Sequence, residues 1–166
     1  MDKRKKRFVI TYVNIVMVFL LFILRASGLL TLQIGSISPI LLLPLVVSVS
    51  MFFGEWYGAS VGFLSGLLMD SLSLGSSLFN TFCIMLIGLL CGIAANFYLN
   101  KNIKSALALS SAASFGYYLA KFLFLYVFKS GAAEGQLFAE FLLPSVIYTA
   151  IFIIPFYFLE KKLKNL

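Results

Sequence analysis

The stretch GEWYGASVGFLSGLLMD, which occupies residues 54–70, has a glycine at every fourth position and ends in an aspartate. A step of four residues advances about 400° around an α-helix, so residues with this spacing form one slowly winding groove. Because glycine has no side chain, such a groove allows a second helix to approach closely. The stretch therefore predicts a tightly packed helix with Gly58, Gly62 and Gly66 along its contact face and Asp70 at its end.

The composition indicates that this helix lies in a membrane. Hydrophobic residues make up 61% of the chain and charged residues 11%, and the mean hydropathy is +1.03. Soluble domains contain roughly 45–50% apolar residues. Several apolar runs approach the ~20 residues that cross a hydrocarbon core about 30 Å thick. We therefore expect an all-α, multi-pass membrane protein.

Six apolar runs predict one transmembrane domain over residues 1–166. If all six cross the membrane, ten of the thirteen basic residues lie on the same side as both termini. Because basic loops remain in the cytoplasm, both termini are predicted to be cytoplasmic. An alternative joins residues 39–69 into one long helix, but five spans would weaken this asymmetry. The six predicted spans are approximately residues 8–24, 39–53, 58–69, 78–99, 105–128 and 137–159.

The position of the basic cluster and the absence of histidine exclude several classes of function. The basic cluster KRKKR at residues 3–7 directly precedes the first span. In this position it indicates a topogenic signal or contact with anionic lipid, so we expect contact with membrane lipid and no binding of nucleic acid. The chain contains no histidine. We therefore expect no metal site, no cofactor and no histidine-based catalysis.

Small residues on three of the runs are candidates for helix packing. The fifth run repeats a small residue every four positions, and the fourth run contains two glycines four residues apart. Since the third and fifth runs point in the same direction, we expect them to pack groove to groove. Packing without any further function remains the alternative for each row. The candidate packing residues are Gly58, Gly62, Gly66, Gly88, Gly92, Ala112 and Gly116.

Two charged residues are candidates for an intramembrane pair. Asp70 ends the third run, and Lys121 lies in the outer half of the fifth. Charges at membrane depth are costly and are usually paired. We therefore expect Asp70 to contact Lys121, with Glu140 as the fallback partner of Lys121. Alternatively, Asp70 caps the polar turn that follows it.

Four segments give the chain a family resemblance that extends over roughly residues 37–166. In chain order they match a second helix with its cytoplasmic turn, a glycine-rich third helix, a glycine pair and a proline-bearing last helix. They resemble the rod shape-determining MreD family, in the form found in Gram-positive bacteria. Lys121 lies outside these segments. Their sequences are SPILLLPLVVSVSMFFGEWYG, VGFLSGLLMDSLSLGSSLFN, IGLLCG and LLPSVIYTAIFIIPFYFLEKKL.

The resemblance implies a non-enzymatic scaffold in the bacterial plasma membrane, part of the cell-elongation machinery that directs rod shape and peptidoglycan synthesis. It also implies an MreC-like partner and, through it, RodA, a penicillin-binding transpeptidase and MreB. The implied fold is a six-helix bundle that resembles the substrate-binding subunits of energy-coupling-factor (ECF) transporters.

Two other classes of function are weighed against this scaffold. The fold similarity suggests a vitamin-binding subunit of an ECF transporter. However, the first helix, FVITYVNIVMVFLLFIL, has no alanine or glycine for docking a coupling protein, and Trp56 is assigned to the inner face. An intramembrane enzyme would need Ser65 and Lys121 as a dyad, and the sequence indicates no oxyanion hole for it.

Overall fold

The computed structural model describes residues 3–27, 40–72, 78–97, 102–129, 146, 149 and 151–165. Within these ranges the chain is helical and contains no strand, so the predicted all-α fold is confirmed. Two helical segments, Phe8–Ala26 and Phe79–Phe97, are long and apolar enough to cross a membrane. The helices with described bounds are α1 (Lys3–Ala26), α2 (Leu42–Phe53), α3 (Glu55–Leu72), α4 (Phe79–Phe97), α5 (Ile103–Lys129) and α6 (Ile153–Asn165).

A single residue, Gly54, separates α2 from α3. Its φ of 97° lies in the left-handed region that glycine adopts without steric cost. Its backbone N–H donates to the Ser50 carbonyl at 3.0 Å, which closes the end of α2. The chain therefore forms two helices where the alternative prediction had one. Because the break occupies only one residue, α3 begins at Glu55, earlier than the predicted residue 58.

Helix α2 forms the centre of the bundle. All its residues from Leu42 to Phe52 are buried, and it contacts each of the other five helices. Its sequence, LLPLVVSVSMFF, is apolar on all sides, as is typical of a helix that is surrounded by other helices or by lipid. The core of the protein is therefore built around α2.

Helices α3 and α4 form an antiparallel pair whose backbones are in close contact. Gly58 lies against Gly88, Gly62 against Ile84, and Gly66 against Thr81. A methyl group added at Gly62 would lie only 2.7 Å from the Ile84 carbonyl oxygen. At the far end of the pair, Gly92 packs against the backbone of Glu55. The glycines thus act as contact points between two consecutive helices.

This pairing differs from the groove-to-groove packing of the third and fifth runs that the sequence predicted. The glycine face of α3 contacts α4, its neighbour in the chain, and consecutive helices commonly pack together in this way. Ala112 and Gly116 lie on an exposed face of α5, and a methyl group at Gly116 would meet no atom within 4 Å. That face of α5 is therefore open in the described part of the chain.

The last helix is interrupted near Pro155. Ile151 is helical, a turn follows at Phe152, and α6 begins at Ile153. Pro155 has no N–H to donate to the Ile151 carbonyl, and its ring crowds that carbonyl, so a regular helix is disfavoured there. Most of the N-terminal half of the predicted sixth span lies outside the described residues.

Candidate functional site

Asp70 organises one end of the bundle, which we call the Asp70 end. Its Oδ1 accepts hydrogen bonds from the Asn80 backbone N–H at 3.2 Å and from Asn80 Nδ2 at 2.8 Å. Its Oδ2 accepts from the Thr81 backbone N–H at 2.8 Å and from Thr81 Oγ1 at 2.5 Å. Asn80 and Thr81 lie in the first turn of α4, where backbone N–H groups have no partner within the helix. Asp70 therefore caps α4. Its negative charge also interacts favourably with the partial positive charge at the N-terminus of that helix.

Tyr117 joins α5 to this network. Its hydroxyl donates to Asn80 Oδ1 at 2.6 Å, and only 1% of the residue is exposed. The Asn80 amide therefore accepts from α5 through its oxygen and donates to α3 through its nitrogen. One continuous set of hydrogen bonds connects α3, α4 and α5.

Two cationic residues belong to the same end. Arg25, in the last turn of α1, interacts electrostatically with both Tyr117 and Lys121. The Lys121 side chain is exposed. The hydrogen bonds given above join Asp70 to α4, and its pairing with Lys121 stays a prediction. The fallback partner, Glu140, lies outside the described residues.

Aromatic rings lie beside the polar groups. The rings of Tyr117 and Tyr118 meet edge to face with centroids 5.5 Å apart. Those of Phe79 and Phe124 are stacked at 4.5 Å. Flat apolar faces next to a few fixed polar groups are typical of sites for small organic ligands.

The described residues contain no group of three or more His, Cys, Asp or Glu side chains arranged to bind a metal ion. Sequence reasoning also missed three members of the network, Asn80, Thr81 and Tyr117. The signal that would have located the first two is the short connection between α3 and α4, which returns the start of α4 to Asp70. Tyr117 has a weaker signal: it follows Ser110 and Ser114 on the buried face of α5.

Comparison with protein families matches the chain to the model of the ECF-type riboflavin transporter, S component, over residues 35–165. Comparison with curated proteins and with solved structures gives no match. The family match covers most of the chain, including α2 to α6 and the polar network at the Asp70 end. It confirms the expected likeness to ECF substrate-binding subunits and the location in the plasma membrane.

The same match overturns the assignment to the MreD family. The predicted scaffold of cell elongation, with MreC, RodA, the transpeptidase and MreB as partners, is therefore wrong. Glycine-rich helices and a proline-bearing last helix serve helix packing in many membrane proteins, so the segments that carried the resemblance were not specific to one function. By the extent of the family match, the chain belongs to the S components of ECF-type riboflavin transporters.

Proposed function

We propose that this protein is the substrate-binding subunit of an ECF-type vitamin transporter and that its substrate is riboflavin. The observation that carries the proposal is the family match over residues 35–165. In this role the subunit binds the vitamin within the membrane and performs no covalent chemistry. Its partners are the ATPase and the T component of an ECF module.

The Asp70 end supplies groups that suit riboflavin. The vitamin combines a flat tricyclic ring with a chain of hydroxyl groups. Tyr118 is partly exposed and offers aromatic surface, with the buried ring of Tyr117 packed against it. Arg25 and Lys121 offer hydrogen-bond donors for hydroxyl or carbonyl oxygens. The hydrogen bond that Tyr117 donates to Asn80 Oδ1 holds its ring in one position, so this part of the bundle is organised before the ligand arrives.

The proposed orientation places this end at the outer face of the membrane. With both termini cytoplasmic, α1 runs outward and ends at Arg25, and α3 runs outward and ends near Asp70. A vitamin taken up from outside the cell would meet these residues first. The basic asymmetry of the sequence supports this orientation.

The test is a riboflavin titration of the purified protein, followed by quenching of the flavin fluorescence. We expect saturable, stoichiometric quenching, and we expect the protein to co-purify with an ATPase module when the two are produced together. Absence of saturable binding of riboflavin would refute the proposal.

A matched pair of variants locates the ligand. Tyr117→Phe keeps the ring but removes the hydroxyl that positions it, and we expect affinity to fall about fivefold to tenfold, which corresponds to the loss of one hydrogen bond. Tyr12→Phe makes the same change on a residue that is 71% exposed and lies in the N-terminal half of α1, away from the Asp70 end. It should leave the affinity for riboflavin unchanged. Equal affinities of the two variants would exclude the Asp70 end as the ligand site.

A further inference from the structure

A second polar cluster lies at the opposite end of the bundle, which we call the Glu160 end. Glu160 of α6 and Asn14 of α1 are both 0% exposed. The Tyr57 hydroxyl of α3 donates to Thr11 Oγ1 of α1 at 2.6 Å. The Asn14 amide lies next to both Tyr57 and Glu160. Three helices thus bring a carboxylate, an amide and two hydroxyls together in an apolar interior.

The carboxylate at the centre of this cluster is not neutralised by the described protein groups around it. Neither oxygen of Glu160 and neither polar atom of the Asn14 amide completes a hydrogen bond. The nearby lysines of α6 are directed elsewhere: Lys161 Nζ lies 5.8 Å from the centre of the Tyr157 ring, and Lys164 Nζ lies 5.8 Å from that of Phe52. A buried carboxylate that is ionised and unpaired is strongly unfavourable, so Glu160 must either bind a cation or take up a proton.

We propose that Glu160, Asn14 and the Tyr57–Thr11 pair form a binding site for an alkali-metal cation of the Na⁺ or K⁺ class. The donors are all oxygen atoms, which hard cations prefer. The one carboxylate balances one positive charge, whereas a divalent ion would leave an excess positive charge in the interior. A cation at this position binds α1, α3 and α6 together, and it is separate from the vitamin site at the Asp70 end.

The test is thermal unfolding of the purified full chain in detergent at constant ionic strength, with choline chloride replaced stepwise by NaCl or KCl. We expect the Tm to rise with one of the two metal ions and to saturate. At ten times the Kd the expected rise is about 3–6 °C. A Tm that does not respond to either ion would overturn the proposal.

Two variants assign the response to this cluster. Glu160→Gln removes the charge, and its Tm should be independent of NaCl and KCl. Glu55→Gln removes a carboxylate that accepts a hydrogen bond from Asn96 at 2.6 Å near the same end, and it should keep the full response. If Glu160→Gln does not fold, Asn14→Ala should shift the cation titration to about tenfold higher concentration, and an unshifted titration would count against the site.

A proton is the competing partner for Glu160. In metal-free choline buffer, a protonated carboxyl would give a wild-type Tm that rises as the pH falls and that ignores NaCl and KCl. That outcome would overturn the cation site.

Discussion

The close contact between α3 and α4 allows a quantitative test with one added methyl group. In Gly62→Ala the new Cβ would lie 2.7 Å from the Ile84 carbonyl oxygen, 3.2 Å from the Ile84 carbonyl carbon and 3.2 Å from Met85 Cα. All three atoms belong to the backbone of α4, so no side chain can rotate to make room. The two helices must therefore move apart by several tenths of an ångström.

The expected cost follows from two opposing effects. Overpacking of a well-packed interior typically destabilises by about 1–3 kcal/mol. Alanine is favoured over glycine within a helix by about 1 kcal/mol, which offsets part of this cost. Gly116→Ala brings the same helix preference without any overlap, because no atom lies within 4 Å of its added methyl group. The difference in unfolding free energy between the two variants therefore isolates the overlap, and we expect it to be about 1–3 kcal/mol.

The assay is reversible unfolding in mixed detergent micelles, followed by the circular dichroism of the helices, with wild type and both variants measured side by side. We expect Gly62→Ala to be less stable than wild type or equal to it, and Gly116→Ala to be equal to wild type or more stable. A Gly62→Ala protein as stable as Gly116→Ala would refute the reasoning, because it would mean that α3 and α4 are not in backbone contact at this point.

Two further predictions concern charge and orientation. Asp70→Asn replaces one acceptor oxygen by an NH₂ group that faces donors at the start of α4, and we expect a loss of about 1–3 kcal/mol in thermal unfolding. If Asp70 also contacts Lys121, a double-mutant cycle of the two will show a coupling energy, whereas additive effects would exclude direct pairing. For orientation, a cysteine placed at the C-terminus in a background without Cys83 and Cys91 should resist an impermeant thiol reagent added outside intact cells; labelling there would exclude cytoplasmic termini.

The sequence predicted the elements of this fold better than their partners. The asymmetry of the basic residues favoured two separate helices over one long one, and the structure breaks the chain at Gly54, where a left-handed glycine has a local cause. The glycines of α3 indicated a close neighbour, but a groove fits any helix with a matching surface. It was the connection between consecutive helices, and not the groove itself, that selected α4 over α5.

The two polar clusters were harder to predict, because their members are distant in the chain. Asp70 and Tyr117 meet through Asn80, and no spacing rule connects residues of three different helices. Glu160 opens the segment EKKLKNL, which has the composition of a solvated tail, yet the residue is fully buried. The family was misassigned for a related reason: the stretches that carried the resemblance describe helix packing, which different membrane proteins share.

The enclosed position of α2 has a consequence for how the protein is assembled in the membrane. Its twelve residues extend over only about 18 Å, less than the hydrocarbon thickness of about 30 Å. By itself, α2 would leave the unpaired backbone N–H and C=O groups at its ends within lipid, so it depends on its neighbours to shield them. Since only Gly54 separates it from α3, insertion of the two helices as one hairpin meets this need. The central helix of the finished bundle is thus too short to cross the bilayer independently.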